Sequence, residues 1–321
     1  MSQHIFDPVA RGWFERRTFS YPDLDPTSLI QAKQDRNLSV AVCCPALNEA
    51  VTIGPICARI RDSVRAAGLV DELLVIDSGS TDGTRVEATD AGATVFSVDE
   101  LVTQVPPAER GKGDSLWRSL AAVRSDIVVW LDADLEDFDE RFITHLLAPL
   151  LLRTDVSISK GFYERPIGDG DRTQRVGGAR VTELTARPLL NLLWPELSGF
   201  VQPLSGEYAG YTSTLRTLPF FIGYGVEVGL LIDASTRLGI DAVAQVDLGV
   251  RRHRNRPVLD LGATALEVIG AILNRAEDLG RLKLAEELTA KMVQFVPDGD
   301  TFLPRIIEGT IGERPPLDSV L

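Results

Sequence analysis

Asp126-Ile127-Val128-Val129-Trp130-Leu131-Asp132-Ala133-Asp134 decides the fold class. Five apolar residues in a row stop abruptly at two carboxylates one residue apart. An apolar run of this length, bounded by polar residues, reads as a strand buried on both faces. Working outward, three earlier stretches share its character: residues 38–44, 72–77 and 93–96. Between them lie helical patterns over 51–67, from Gly83 onward, and over 113–123, with a loop at Val105-Pro106-Pro107. Strand and helix alternate, which predicts an α/β fold: a mostly parallel, Rossmann-like sheet flanked by helices.

Beyond residue 150 the alternation loosens. The pattern predicts strands over 156–163 and 241–246, helices over 181–194 and 226–238, and a mostly helical C-terminal stretch over 261–296. The tail at Glu313-Arg314-Pro315-Pro316 reads as irregular. Residues 1–37 are polar with scattered aromatics (Trp13, Phe14, Phe19, Tyr21) and read as an arm docked on the body. No low-complexity linker splits the chain, so one domain overall is expected.

Composition excludes several classes. The 321 residues are 44% apolar, enough for a substantial core. The formal net charge of −13 disfavours nonspecific binding to nucleic acid or to an anionic membrane surface. It leaves room for a small anionic substrate held by a local cluster of Arg and Lys. No window approaches the roughly 18 apolar residues of a spanning helix. Met1-Ser2-Gln3-His4 opens no basic-then-apolar leader. The three cysteines, Cys43, Cys44 and Cys57, lack paired spacing, so a reducing, cytoplasmic compartment without structural zinc is expected.

The chemistry concentrates where strands end, because ligands of open α/β sheets sit at the carboxyl ends of strands. Asp132 and Asp134 there suit a diphosphate-bound Mg²⁺ or Mn²⁺ and a ribose hydroxyl, against the plainer alternative of a solvated turn. The first strand runs into Pro45-Ala46-Leu47-Asn48-Glu49, whose backbone faces a ligand and whose Glu49 suits ribose hydroxyls. The alternative is an ordinary connection with Asn48 as helix cap. The second runs into Asp77-Ser78-Gly79-Ser80-Thr81-Asp82-Gly83-Thr84, a polar loop or a capped turn, with Thr81 or Asp82 as cap.

Two helix starts add cation and backbone donors. Gly111-Lys112-Gly113 sets an ammonium at one; Gly177-Gly178-Ala179-Arg180-Val181-Thr182 sets a guanidinium and a hydroxyl at another. A solvated lysine and a glycine hinge are the alternatives. Arg251-Arg252-His253-Arg254-Asn255-Arg256 offers a histidine metal ligand among phosphate-binding arginines, or simply a solvated basic face. Of the other histidines, His4 lies in the arm, and His145 falls in an apolar helix and reads as structural. The first loop carries neither a Gly-x-Gly-x-x-Gly fingerprint nor a P-loop, which argues against a dinucleotide-binding enzyme or an NTPase.

Taken in order, these pieces resemble the actinobacterial glucosyl-3-phosphoglycerate synthases and the related mannosyl-3-phosphoglycerate synthases. The resemblance runs from about residue 38 to 260. It rests on the loops just quoted, on Leu116-Trp117-Arg118-Ser119-Leu120 and Arg180-Val181-Thr182-Glu183-Leu184, and on Gln202-Pro203-Leu204-Ser205-Gly206-Glu207-Tyr208. Gly223-Tyr224-Gly225-Val226-Glu227 and His253-Arg254-Asn255-Arg256-Pro257 complete it.

The resemblance implies a GT-A fold, a retaining hexosyl transfer and a homodimer. The donor would be UDP-glucose, GDP-glucose or GDP-mannose and the acceptor the 2-hydroxyl of 3-phosphoglycerate, with Mg²⁺ or Mn²⁺. It implies that Asp134 and His253 hold the metal. Pro45, Ala46, Leu47, Glu49, Ser80, Lys112 and Asp132 would contact the nucleotide, and Leu204, Tyr224, Glu227 and Arg251 would surround the sugar and diphosphate. Arg180, Thr182 and Asn255 would grip the acceptor. On this reading residues 38–160 form the nucleotide-sugar half, and 161–321 the acceptor half with a helical C-terminal region. Ala133 and Ala179 stand where the glucosyl enzymes carry Ser and Gly. A sugar-nucleotide pyrophosphorylase would need a Gly-rich, Arg-containing first loop, which Pro45 to Glu49 does not supply. A nucleotide-sugar sensor without activity would not be expected to keep Asp132, Asp134, Arg180 and His253 together.

Overall fold

The structure, a computed structural model, describes residues 4–106, 111–164, 179–251 and 257–321. The chain runs α1 (Pro8–Arg17), β1 (Thr18–Phe19), α2 (Pro26–Asp35), β2 (Val40–Ala46), α3 (Ile53–Ile60), β3 (Glu72–Asp77), α4 (Thr84–Asp90), β4 (Thr94–Ser97), α5 (Lys112–Ala122), β5 (Ile127–Trp130) and α6 (Arg141–Leu152). It continues through β6 (Ile158–Glu164), α7 (Arg187–Leu193), β7 (Tyr208–Tyr211), α8 (Thr212–Leu215), β8 (Phe220–Phe221), α9 (Val226–Leu238), β9 (Val243–Val250), α10 (Leu261–Asp278), β10 (Lys291–Asp298), β11 (Thr301–Glu308) and β12 (Glu313–Arg314).

Eight strands form the central sheet in the order β1-β9-β6-β7-β5-β2-β3-β4. All its pairings are parallel except those of β7, which runs antiparallel to both β5 and β6. Because side chains alternate along a strand, each apolar run feeds two cores. In β2, Ala41 and Cys43 join the core under α5, α9 and α10, while Val40, Val42 and Cys44 join the core under α2, α3 and α6. The chain winds outward from β2 through β3 to β4, then returns to place β5 on the other side of β2. That reversal opens the crevice between the carboxyl ends of β2 and β5.

The described part of the N-terminal segment is folded. Asp7 and Asp25 cap α1 and α2, each with Pro at the first helical position. Trp13 is buried, donates from Nε1 to the Val243 carbonyl at 2.9 Å and packs on Phe200 with ring centroids 4.0 Å apart.

The C-terminal region departs from expectation. Helix α10 ends at Asp278; residues 281–290 are irregular, and β10 and β11 form an antiparallel hairpin turning at Gly299, whose φ is +57°. Leu282 to Ala290 has good helix formers, but the chain from Lys291 onward pairs as an antiparallel hairpin, and that pairing overrides the local propensity. The tail is not irregular at Glu313–Arg314 either, since those residues pair antiparallel with Phe220–Phe221.

The expected helix at 51–67 is divided into α3 and a wider turn over Arg61–Arg65, and that at 181–194 into a wide turn over Thr182–Ala186 followed by α7. His145 is structural, its Nδ1 lying 2.9 Å from the Asp247 carbonyl. Asn48 caps no helix; Thr52 holds that position for α3.

Two measurements check this architecture. Trp13→Ala should cost about 3–5 kcal/mol, the range for deleting a buried aromatic, seen as a lower urea midpoint at unchanged slope. Burial pushes the Cys43 and Cys57 thiols up to about 12 and Cys44 well up. All three should therefore be protonated and unreactive in the native chain at pH 8, and all should react with a thiol reagent after denaturation.

Candidate active site

The crevice holds a pocket of about 390 Å³ lined by residues from three strand ends, one helix start and one turn. Pro45, Ala46, Leu47 and Glu49 come from the end of β2, Ser78 from that of β3, and Asp132, Ala133 and Asp134 from that of β5. Gly111, Lys112 and Ser115 come from the start of α5, and Tyr224 from the turn before α9.

The first two loops are stitched together. Asn48, held at φ +58°, donates its N–H to Ser80 Oγ at 2.9 Å and accepts the Thr81 N–H on its side-chain oxygen at 2.8 Å. The Glu49 N–H donates to Thr84 Oγ1 at 2.8 Å. Thr52 Oγ1 donates to the Ala133 carbonyl at 2.6 Å, which ties the third loop to the first.

At the pocket floor the charges alternate. Lys112 Nζ lies 2.6 Å from Asp132 Oδ1 and 2.8 Å from Glu227 Oε1. The Arg251 guanidinium lies 3.0 Å from Asp132 Oδ2, 3.0 Å from Asp134 Oδ1 and 2.7 Å from Glu207 Oε1. It also donates to the Tyr163 hydroxyl at 2.9 Å. Burial opposes ionisation of Asp132, but Lys112 and Arg251 outweigh it and hold the carboxyl well below the ordinary range. Burial likewise opposes the charge on Lys112, and Asp132 with Glu227 overcomes it, raising its pKa well above the usual value. For Arg251, Glu207 and the aspartates overcome burial in the same way.

Backbone without side chains makes this packing possible. A Cβ on Gly206 would lie 2.4 Å from Lys112 Nζ and 2.6 Å from Asp132 Oδ1, and one on Gly113 would lie 1.8 Å from the Phe221 carbonyl oxygen.

The structure thus brings together Pro45, Ala46, Leu47, Glu49, Lys112, Asp132, Asp134 and Tyr224 on the pocket wall, with Glu227 and Arg251 against its floor. Ser80 lies off the wall and serves the Asn48 loop. Leu204 is half-buried against the core. Arg180 and Thr182 do not line the pocket, and Thr182 is buried. His253 and Asn255 lie outside the described residues.

Sequence reasoning missed Ser115, whose Oγ lies 2.7 Å from Ser78 Oγ. Its spacing of three from Lys112, on one helix face, was the available signal. It also missed Glu207 and Tyr163 as partners of Arg251: Glu207 lies in the motif over 202–208, and Tyr163 lies only at the end of an expected strand.

A parallel sheet with an acidic motif at the switch point, a cation on either side of it and a pocket at the strand ends defines a glycosyltransferase of the GT-A type. Comparison with known proteins agrees. Residues 41–204 match the family model described as glycosyl transferase family 2. The chain is 45% identical to the glucosyl-3-phosphoglycerate synthase of Mycolicibacterium smegmatis, over 96% of this chain and 98% of that protein. It superposes on the crystal structure of mannosyl-3-phosphoglycerate synthase from Rubrobacter xylanophilus with a TM-score of 0.88 and 37% identity, covering 97% of this chain and 99% of the other. With glucosyl-3-phosphoglycerate synthase from Mycobacterium tuberculosis in complex with Mn²⁺, UDP-glucose and phosphoglyceric acid, the TM-score is 0.80 at 42% identity, over 94% and 96% of the two chains. The chain belongs to glycosyl transferase family 2 and, within it, to the group of glucosyl- and mannosyl-3-phosphoglycerate synthases.

The alternating charges at the floor give a direct test. Lys112→Met should destabilise the fold by about 3 kcal/mol or more, because Asp132 and Glu227 lose a shared buried cation. The double variant Lys112→Met/Glu227→Gln should recover part of that loss in chemical denaturation; simple additivity would show that the pair is not coupled.

Proposed function

We propose that the chain transfers glucose or mannose, with retention, from a nucleoside-diphosphate sugar to the 2-hydroxyl of 3-phosphoglycerate. The observation that carries this reading is Asp132 held ionised between Lys112 and Arg251 at the pocket floor, with Asp134 beside it toward the opening. UDP-glucose is the first donor to expect, because the complex of the M. tuberculosis relative holds it; GDP-glucose and GDP-mannose are the alternatives.

The residues present fit a hard divalent ion. Asp134 offers carboxylate oxygen, and its side chain is 46% exposed, whereas that of Asp132 is 19% exposed and committed to two cations. Asp134 is proposed to hold Mg²⁺ or Mn²⁺ together with His253. When bound, the ion offsets charge growing on the departing diphosphate. Lys112 and Arg251 lie where the same charge develops and are already oriented by their carboxylates, so they need little reorganisation during transfer. Pro45 to Leu47 and Glu49 hold the nucleoside, with Ser80 fixing their loop. Tyr224, Leu204 and Glu227 surround the sugar, Glu227 positioning it. Arg180 and Asn255 grip the acceptor's phosphate and carboxylate, with Thr182 beside Arg180. The acceptor hydroxyl attacks on the face the diphosphate leaves, and its proton passes to a leaving phosphate oxygen.

A homodimer is proposed on the hairpin. Val293, Phe295, Phe302 and Ile306 share one of its faces and are 55–68% exposed. The opposite face carries Gln294, which is buried and donates to the Leu259 carbonyl at 2.8 Å. An apolar stripe on the open side of a hairpin needs a partner, and a second copy supplies a matching one. No helix among the described residues is long and apolar enough to cross a membrane. A cytoplasmic location is proposed on the three unpaired cysteines.

The function is checked by incubating the protein with 3-phosphoglycerate, Mg²⁺ or Mn²⁺ and each donor in turn. A phosphorylated glycoside by mass spectrometry is expected; donor hydrolysis without one would reject the acceptor. Asp134→Ala should abolish metal-dependent donor binding in calorimetry. Phe295→Glu/Phe302→Glu should convert a dimer to a monomer by light scattering, with the pocket residues untouched.

A further inference from the structure

Below the pocket floor lies a second, smaller space of about 20 Å³, room for about one water molecule. Its polar lining is Lys160, Tyr208 and Glu227, and the rest is aliphatic. Lys160, on β6, is only 4% exposed. Its ammonium donates to the Ser205 carbonyl at 2.8 Å and lies 4.4 Å from the centre of the Tyr208 ring. The next residue on the strand, Gly161, donates its N–H to the Glu207 carbonyl at 2.8 Å. These two bonds clamp the 204–207 loop, whose Gly206 packs on Lys112 and Asp132 and whose Glu207 holds Arg251. The Tyr208 hydroxyl is buried and has no hydrogen-bond partner among the described residues.

A buried lysine is costly unless anions offset it. The charged and titratable groups facing Lys160 are Glu227 from α9, Lys112 from α5, Asp132 after β5, and Glu207 with Tyr208 at the start of β7. Burial is the largest influence on Lys160 and lowers its pKa to about 7; Glu227 is the foremost of the groups opposing that fall. Lys112, Lys160 and Arg251 face Asp132, Glu207 and Glu227, so the floor is neutral only when Lys160 is charged. Lys112 already spans Asp132 and Glu227, and Arg251 spans Asp132, Asp134 and Glu207. Without Lys160, two cations would serve three carboxylates at the floor and Asp134 beside it.

We propose that Lys160 is a positioning residue for sugar transfer: it clamps the 204–207 loop under the sugar and supplies the cation that balances Glu227 from below. The inference rests on the proposed transfer reaction for its kinetic readout, but the pairing with Glu227 can be read without substrate.

Lys160→Met and Lys160→Arg test it. Lys160→Met removes a buried charge at similar length. Its kcat should fall about tenfold or more, with donor KM changed by less than about threefold, the signature of an interaction felt mainly in the transition state. The acid limb of its kcat–pH profile should move to higher pH, because a carboxylate without its cation takes up a proton more readily. Lys160→Arg should return that limb toward the wild-type position. Wild-type kinetics in Lys160→Met, or a lower kcat with the acid limb unmoved, would overturn the proposal. NMR of the ¹⁵N-lysine-labelled protein decides independently of catalysis and of whether Lys160→Met folds. The Lys160 titration midpoint should move to lower pH in Glu227→Gln, and an unmoved midpoint would overturn the pairing. If no donor in the panel gives product, this last measurement still separates a wrong reaction from a wrong role for Lys160.

Discussion

Asp132 sits between Lys112 and Arg251, and much of the local architecture exists to keep it there. Burying a carboxylate is unfavourable by several kcal/mol, and breaking a buried pair is worse than never forming it. The two cations come from opposite directions, α5 on one side and the end of β9 on the other. For both to reach one carboxylate, α5 must approach the turn before α9 closely enough that Gly113 tolerates no side chain. The loop before β7 must also pass directly over the Lys112–Asp132 contact, which Gly206 alone permits. The ion pairs and the glycines are one constraint seen from two sides.

That constraint reaches far along the chain. Helix α5 is anchored by Asp114, which is buried and accepts from Arg118 at 2.9 Å and from Arg314 at 2.6 Å. Arg314 belongs to β12, and the Ile222 N–H donates to the Gly312 carbonyl at 2.9 Å. Glu267, on α10, accepts the N–H of Tyr224 at 2.6 Å with one oxygen and that of Thr310 at 2.9 Å with the other. The C-terminal tail therefore supports the pocket wall at Tyr224 and the helix that presents Lys112, although it lies about 90 residues or more from either in sequence. Its short strand pairing with β8 is small in area and large in consequence.

The central sheet was legible because buried parallel strands announce themselves as apolar runs, and β2, β3 and β5 all do so. The polar stops of those runs marked most of the pocket wall, since the carboxyl ends of parallel strands meet at one edge. Much else was not legible. Strand β7 is only Tyr208–Tyr211, too short and too rich in Gly and Tyr to show a period. The hairpin shows no regular alternation of apolar and polar residues and follows a stretch of Leu, Ala and Glu whose propensity is helical, and tertiary pairing decides such cases. Partners of Arg251 such as Glu207 and Tyr163 depend on which strands become neighbours, and β6 lies between β7 and β9, an order that no local pattern encodes.

The two aspartates of the motif show how environment divides the work of identical side chains. Asp132 points into the floor, where Lys112 and Arg251 each engage one of its oxygens. Asp134, two residues on in the turn that follows, is more than twice as exposed and, among the described residues, pairs with Arg251 alone. A carboxylate fixed by two buried cations has less freedom to turn toward a metal ion than the more open one. The difference follows from where β5 ends: Leu131 still bonds to β2 through the Cys43 carbonyl, and the chain then leaves the sheet. Arg251 touches both carboxylates, and so it joins the fixed charge of the floor to the more open position at the pocket's edge. Anything that draws Asp134 outward must loosen one of the contacts that hold Arg251, which makes the floor and the edge of this pocket a single electrostatic unit.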